Sequence, residues 1–392
     1  MNFFKKQKIL SQKRSYQICK RCVMDTTDPW IEFDSDGICN HCKTYYKKRY
    51  MPDDYIKNTN NKSLEEMFKE IKDNRKNDYK YDVAIGISGG VDSSYVVYLA
   101  NKAGLKILAV HMDNCWDTPI AIQNINNLIS LENVDYCCEV LKWNKFRNIQ
   151  RILIESGLPD IELPTDSAIS AVLARKAVKY GVRTILSGGN NSSEGILPSA
   201  WMYNTKDSLF IKSIFRKAGK SSNLFKSFKY GFRDDFKYRF FYKLKTFYPL
   251  NSFKYDKEKA KEILKSEINW QSYGGKHCEC IFTKFCQLIY QPKRHGMDYR
   301  RAHLSTDICN SRITRKEAIN ILKVPPWAEL DLENELKFVA NKLGYEVNEL
   351  KYFMNQPPLW YKDFSNNEFL LGKIYNLYRL LTGRPLASSW WG

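Results

Sequence analysis

Six consecutive residues, Ser88-Gly89-Gly90-Val91-Asp92-Ser93, have the types and order of a phosphate cradle. They follow the apolar run 82–87 (DVAIGI), read as a buried strand. They open a helix carrying Val96, Val97, Leu99 and Ala100 that ends near Gly104. A helix N-terminus presents unpaired backbone N–H groups and partial positive charge, which suit phosphate. Gly89 and Gly90 lack Cβ atoms, so the backbone can turn sharply and approach phosphate oxygens. Ser88 and Ser93 add hydroxyl donors. Asp92 cannot face a phosphate directly, and its expected role is to help hold Mg²⁺ between the two. The loop lacks the Gly-Lys-Ser/Thr ending of a Walker A motif and the three spaced glycines of a dinucleotide fingerprint. A bare strand-to-helix turn is the plainer alternative.

A second constellation is Cys19-Lys20-Arg21-Cys22 with Cys39-Asn40-His41-Cys42, sixteen residues apart. Two such knuckles match a zinc ribbon, and four thiolates can surround Zn²⁺ tetrahedrally. Four sulfur ligands leave no open position, so the metal is expected to be structural. An iron–sulfur centre or empty thiols are the alternatives, and His41 is read as a solvated neighbour rather than a ligand. A third is 276–303, which holds His277, His295 and His303 with Lys276, Lys293, Arg294, Arg300 and Arg301. Such donors suit a pyrophosphate, nucleotide-sugar or carboxylate group. Lys276, Arg301 and His303 are the chosen contacts, against a solvated basic helix face.

These residues need elements to hold them. Further strands are expected at about 105–112, 134–140 and 182–187, with helices near 118–131, 143–156 and 165–180. Strands alternating with helices predict a Rossmann-like α/β fold, a parallel sheet with helices on both faces that binds ligands at the carboxyl ends of its strands. The expected organisation is a zinc-ribbon lobe at 1–50, a connector at 51–80, a nucleotide-binding domain at 81–205, a basic-aromatic insertion at 206–275 and a helical region at 276–392. Ser63/Glu66 and Thr314/Glu317 have capping-box spacing. Leu332, Leu336, Val339, Ala340 and Leu343 share one helical face, and Gly344 is placed to end that helix.

The chain has 392 residues and a net charge of +19, which points to anionic partners without choosing among them. Eleven cysteines in so long a chain suggest metal ligands or buried thiols rather than disulfides. No apolar run reaches the roughly 18–20 residues of a membrane span. No signal-peptide-length stretch follows Met1–Leu10, so a cytoplasmic location is expected. The insertion reads as a partly buried segment with snorkelling lysines. Docking to an anionic membrane surface or to a protein partner is the next reading, and RNA stacking the least favoured.

The segment SGGVDSS (88–94) resembles the signature of the PP-loop ATP pyrophosphatases, which include amidotransferases, asparagine and GMP synthetases, and tRNA-thiolating enzymes. The resemblance implies ATP cleavage between the α and β phosphates, with Ser88–Ser93 holding pyrophosphate. It also implies nucleotide contacts at the end of the second strand (His111, Met112, Asp113) and at the Ser187-Gly188-Gly189-Asn190 turn. Cys19–Cys42 (CKRCVMDTTDPWIEFDSDGICNHC), His111–Asp117 (HMDNCWD), Gly188–Gly195 (GGNNSSEG) and Lys276–Ser305 resemble one subgroup. These are the N-acetyl sugar amidotransferases of bacterial surface-polysaccharide synthesis. Cys278 and Cys280 depart from that pattern, which has Tyr and Ser there. The resemblance implies conversion of an acetamido group on a nucleotide-linked sugar to an acetamidino group, with ATP activating the amide oxygen and ammonia attacking the carbon. It also implies a glutaminase and a barrel partner resembling the two parts of imidazole glycerol phosphate synthase.

Two other classes compete. A tRNA-thiolating PP-loop enzyme would need a catalytic cysteine pair, for which Cys115, Cys137 and Cys138 are the candidates. Those on strand 3 read more simply as buried apolar thiols. A non-enzymatic zinc-ribbon protein that binds nucleic acid would need no intact Ser/Gly/Asp/Ser loop.

Overall fold

The computed structural model describes residues 15–50, 63–74, 80–274 and 278–382. At its centre are five parallel strands in the order β3-β2-β1-β4-β5: β1 Val83–Gly86, β2 Ile107–Asp113, β3 Val134–Val140, β4 Thr184–Leu186 and β5 Lys245–Phe247. Parallel strands require crossovers, and the helices that supply them cover both faces. Side chains alternate across the sheet. Val83, Ile85, Ile107 and Ala109 pack with Val96, Val97, Ala100, Ile125 and Leu128 of helices Val91–Lys102 and Pro119–Ile129. Ala84, Leu108 and Val110 pack with Ala168, Ala171 and Val172 of helix Leu163–Lys179.

The four expected strands and their helices form where the apolar pattern put them. Both capping boxes are made, and Gly344 ends helix Leu332–Leu343 at φ +72. The fifth strand was not expected. Lys245–Phe247 lies in the basic-aromatic stretch, yet Lys245 N bonds Arg183 O at 2.8 Å and Ser187 N bonds Phe247 O at 2.9 Å. Helix Lys257–Ile268 then packs on helix Val91–Lys102. Residues 245–247 of the stretch read as an insertion therefore form part of the sheet.

The N-terminal lobe seats on the helical C-terminal region. Val23 N bonds Ser305 Oγ at 3.2 Å, and Arg315 Nε reaches the carbonyls of Cys19 and Cys22 at 3.1 Å each. Among the described residues, no helix is long and apolar enough to cross a membrane.

Candidate active site and four-cysteine centre

The chain turns at Gly89 because its φ is +75, a conformation L side chains rarely adopt. A Cβ there would also collide with the Ala121 carbonyl oxygen and lie 2.9 Å from the Ala121 Cα. The Gly89 carbonyl accepts from Trp270 Nε1 at 3.0 Å and Asn124 Nδ2 at 3.2 Å, so two neighbouring elements fix the turn. Gly90 then caps helix Val91–Lys102 and, being glycine, makes no side-chain capping bond. The turn after β4 abuts the same point: a Cβ on Gly188 would lie 2.8 Å from Ser93 N.

A cavity of about 360 Å³ opens at the carboxyl edge of β1, β2 and β4. Ser88, Gly90, Val91, Asp92, Ser93, Met112, Gly188 and Gly189 line it together with His303. Gly89 and Asp113 stand outside that lining. Gly89 faces Ala121, and Asp113 Oδ1 accepts from Cys115 N at 2.7 Å to turn the chain after β2. His111 lines the wall, with Nδ1 3.0 Å from Ile87 O and Nε2 3.2 Å from Asp117 Oδ2.

Among the described residues of this segment, 278–303, the lysines and arginines do not gather at the cavity. Arg301 gives Nη1 to Val23 O at 2.8 Å and Nη2 to the buried Asp25 at 3.0 Å, so it clamps the N-terminal lobe and lies outside the cavity lining. Arg300 is paired with Asp298, and Arg294 donates to Ile154 O at 2.7 Å. Lys293 sits over the Trp327 ring. His295 packs against Tyr290 and Trp360, and burial lowers its pKa to about 4. Lys276 and His277 fall outside the described residues. His303 does line the cavity, its ring 5.2 Å from that of Tyr299.

The cation beside the loop comes from elsewhere. Lys257, the first residue of helix Lys257–Ile268, lines the cavity with Nζ 3.7 Å from Asp92 Oδ2. Tyr255 donates to Asp92 Oδ1 at 2.6 Å, and Tyr273 OH receives Val91 N at 3.3 Å. No motif marks Lys257, Tyr255 or Tyr273 in the sequence. Only the interleaving of lysine and tyrosine around 242–273 hints at a packed, charged surface there.

Six carboxyl groups besides Asp92 share the wall with apolar side chains such as Ile169, Val172, Leu173 and Ile196. Asp117, Asp160, Glu162, Asp166, Glu194 and Glu279 all line it. Burial raises Asp160 to about 7, and burial with the neighbouring Asp160 raises Asp166 to about 8. Burial, then Asp166, raises Glu162 well above the ordinary carboxyl range. Near neutral pH Asp160 is therefore about half protonated and Asp166 mostly protonated, and Glu162 is shifted in the same direction. A wall of partly neutral carboxyl groups both donates and accepts hydrogen bonds, so it is polar without strongly repelling an anion. Cys280 and Cys286 also line the cavity. Burial pushes Cys280 up to about 12 and Cys286 well above its ordinary value, so neither is a ready thiolate.

The sulfurs of Cys19, Cys22, Cys39 and Cys42 all lie within 4.8 Å of one another and are buried. Cys19–Cys42 and Cys22–Cys39 are 4.0 and 3.6 Å apart. The N–H groups of Arg21, Met24, Cys39 and Cys42 point at sulfurs at 3.3–3.4 Å, as fits thiolate character. The four thiols can therefore hold a metal. His41 is not part of the set: its Nε2 is 2.6 Å from Asp28 Oδ2, and it is largely buried rather than solvated.

With this geometry in place, comparison with known proteins adds two partial family matches. Residues 279–380 match the family model "LPS biosynthesis protein WbpG-like, C-terminal domain". Residues 81–153, which hold β1, the loop, β2 and β3, match "tRNA methyl transferase HUP domain". The two matches support the PP-loop ATP pyrophosphatase superfamily, and with it an ATP-using enzyme. No curated protein matches the chain. Similar solved structures include an NH3-dependent NAD synthetase from Campylobacter jejuni at 18% identity, covering 44% of this chain and 79% of that one with a TM-score of 0.28. An NMN synthetase from Francisella tularensis is 14% identical, covering 75% and 94% with a TM-score of 0.33. A U34-tRNA thiolase from Methanococcus maripaludis, solved with its 4Fe–4S cluster, is 14% identical, covering 79% and 89% with a TM-score of 0.32.

Proposed function

We propose that the protein is an ATP-dependent amidotransferase that converts the acetamido group of a nucleotide-linked sugar to an acetamidino group in surface-polysaccharide synthesis. One observation carries this reading: the phosphate loop and the WbpG-like segment line a single cavity. Ser88 and Gly90–Ser93 line it together with Glu279, Gln287, Tyr299 and His303.

In the proposed reaction the amide oxygen attacks the α-phosphate of ATP, and pyrophosphate leaves. Ammonia adds to the same carbon, and AMP departs with the former amide oxygen. Direct attack by ammonia would have to expel hydroxide, whereas the adenylylated oxygen leaves readily. The helix N-terminus at Val91–Ser93, where Val91 N donates to Tyr273, and the Lys257 ammonium are placed to hold pyrophosphate. Asp92 fits a Mg²⁺ ligand, and that ion, when bound, would neutralise phosphate charge. The partly protonated carboxyl groups at Asp160, Glu162 and Asp166 suit sugar hydroxyl and amide groups. Ammonia would come from a glutaminase through a barrel partner resembling imidazole glycerol phosphate synthase.

For the four-cysteine centre the proposal is a single structural Zn²⁺. Zn–S bonds of about 2.3 Å give tetrahedral S···S edges of ~3.8 Å, and the sulfurs are already near that spacing. Elemental analysis should find about one zinc per chain, and iron in its place would overturn this part.

The test of function is release of AMP and pyrophosphate from ATP. It should require a nucleotide-linked N-acetyl sugar and ammonium together. Equal release with tRNA and a sulfur donor, and none with sugar, would favour the thiolating class.

A further inference from the structure

The region following helix Ser208–Lys217 carries a surface that the catalytic reading does not use. Residues 232–241 form a short α-helix that widens into a π-helical turn, and the chain reverses at Lys243 with φ +55. Phe236, Phe240 and Phe241 are 46%, 53% and 75% exposed at this tip, with Tyr242 beside them. Large aromatic side chains so exposed together mark an interaction surface.

The charges around them have one sign. Residues 226–245 contain seven lysines and arginines against two aspartates. Asp235 is buried between Lys206 and Arg239, and Asp234 is half-buried and caps Gly231 N at 2.8 Å. Lys226, Arg233, Lys237, Lys243 and Lys245 are exposed, and Arg233, Lys237 and Lys243 lie within or directly beside the 232–242 turn.

We infer that this tip docks the protein on an anionic lipid surface. Phenylalanines projecting from a helix end and ringed by lysines match what inserts into the headgroup boundary of acidic membranes. A nucleic acid would need open ring faces for stacking. Here Phe236 and Phe240 turn toward each other, with centroids 4.4 Å apart, and Lys237 lies over Tyr242. The tip also suits catalysis at a membrane. It leads into the N-terminal end of β5, and β5 runs parallel to β4. The cavity lies at the opposite, carboxyl edge of the sheet, so docking leaves it open to soluble substrate.

The full-length protein is sedimented with vesicles of phosphatidylcholine alone or mixed with phosphatidylglycerol. Binding is expected only to the mixed vesicles, and added salt should release it. Phe240→Ser with Phe241→Ser should abolish pelleting, and Lys237→Gln with Lys243→Gln should weaken it strongly. All four side chains are exposed, so near-normal ATP turnover in the variants verifies that they fold. Failure to pellet with phosphatidylglycerol vesicles overturns the inference. So does undiminished binding of the phenylalanine variant, or retention of tRNA rather than vesicles at the tip.

Discussion

The Tyr255 hydroxyl donates to Asp92 at 2.6 Å, and so the stretch after β5 is tied to the phosphate loop. Burial, reinforced by the Asp92 carboxylate, raises the Tyr255 pKa, so the phenol keeps its proton and stays a donor. With Lys257 at 3.7 Å from the other carboxylate oxygen, Asp92 is held at the helix N-terminus in one orientation. Asp92→Ala should abolish turnover while leaving the fold intact. Lys257→Ala should lower turnover by ~10²-fold, the order lost with one preorganised donor. Tyr255→Phe should have a smaller effect, chiefly on the KM for ATP. Steady-state kinetics over a range of ATP concentrations check all three, and a normal Lys257→Ala rate would remove that lysine from the site.

Gly89→Ala tests the turn itself. The residue would have to hold φ near +75 with its Cβ against the Ala121 backbone. Strain of this kind costs on the order of 1–3 kcal/mol, and here the backbone clash adds to it. A lower Tm together with lost ATP binding is expected. Gly188→Ala should weaken ATP binding in the same way, because its Cβ would press on Ser93 N. Calorimetric melting with and without ATP reads both effects.

Local pattern made much of this architecture legible. DVAIGI followed by SGGVDS states a buried strand and a phosphate turn within twelve residues, and β3 forms at 134–140 as the sequence implies. The misplaced parts depend on long-range contacts. Lys245-Thr246-Phe247 is too short to show a period, and it becomes a strand only because β4 offers a free edge. Arg301 looks like a ligand contact in a basic run, but the buried Asp25, far away in the chain, claims it. Lys257 sits in an ordinary charged helix start, and only the packing of that helix on Val91–Lys102 brings it to the loop.

Arg301 and His303 should therefore behave differently. Arg301→Ala leaves the Asp25 carboxylate buried without its cation. Breaking such a pair costs about 3–5 kcal/mol, so the variant should melt earlier and loosen the N-terminal lobe. Any enzyme that remains folded should turn over normally. His303→Ala should leave Tm nearly unchanged and lower kcat, since the ring faces the cavity. A stable but inactive Arg301→Ala would return that residue to the substrate side.

The buried carboxyl groups predict a direction of pH dependence. Asp160 and Asp166 rise from an ordinary 3.8 to about 7 and about 8, chiefly through burial. The folded state then binds more protons than the unfolded state across that window, so stability falls as pH rises through it. The contribution is fully present below about pH 4 and lost above about pH 8. Asp160→Asn and Asp166→Asn cannot ionise and should flatten the fall in Tm between those limits. An unchanged slope in the double variant would mean that both groups ionise normally in the fold.

The last prediction concerns nitrogen. Glutamine hydrolysis by a thiol needs a reactive thiolate beside the substrate, generated by a base or a lowered pKa. The cavity thiols Cys280 and Cys286 are both pushed the opposite way by burial. Cys115 and Cys138 are raised as well, chiefly by burial, which also disfavours a thiolating role for them. Ammonia is small and neutral, so it can reach an activated amide from solution without a dedicated hydrolytic site. The isolated chain should therefore use ammonium at high concentration and fail with glutamine. Adding the glutaminase and barrel partners should restore glutamine use and lower the ammonium requirement. Amidine formation followed by mass spectrometry, with glutamine labelled at its amide nitrogen, reads this directly. Label incorporated by the isolated chain would show a glutaminase site within it, and the proposed division of labour would fall.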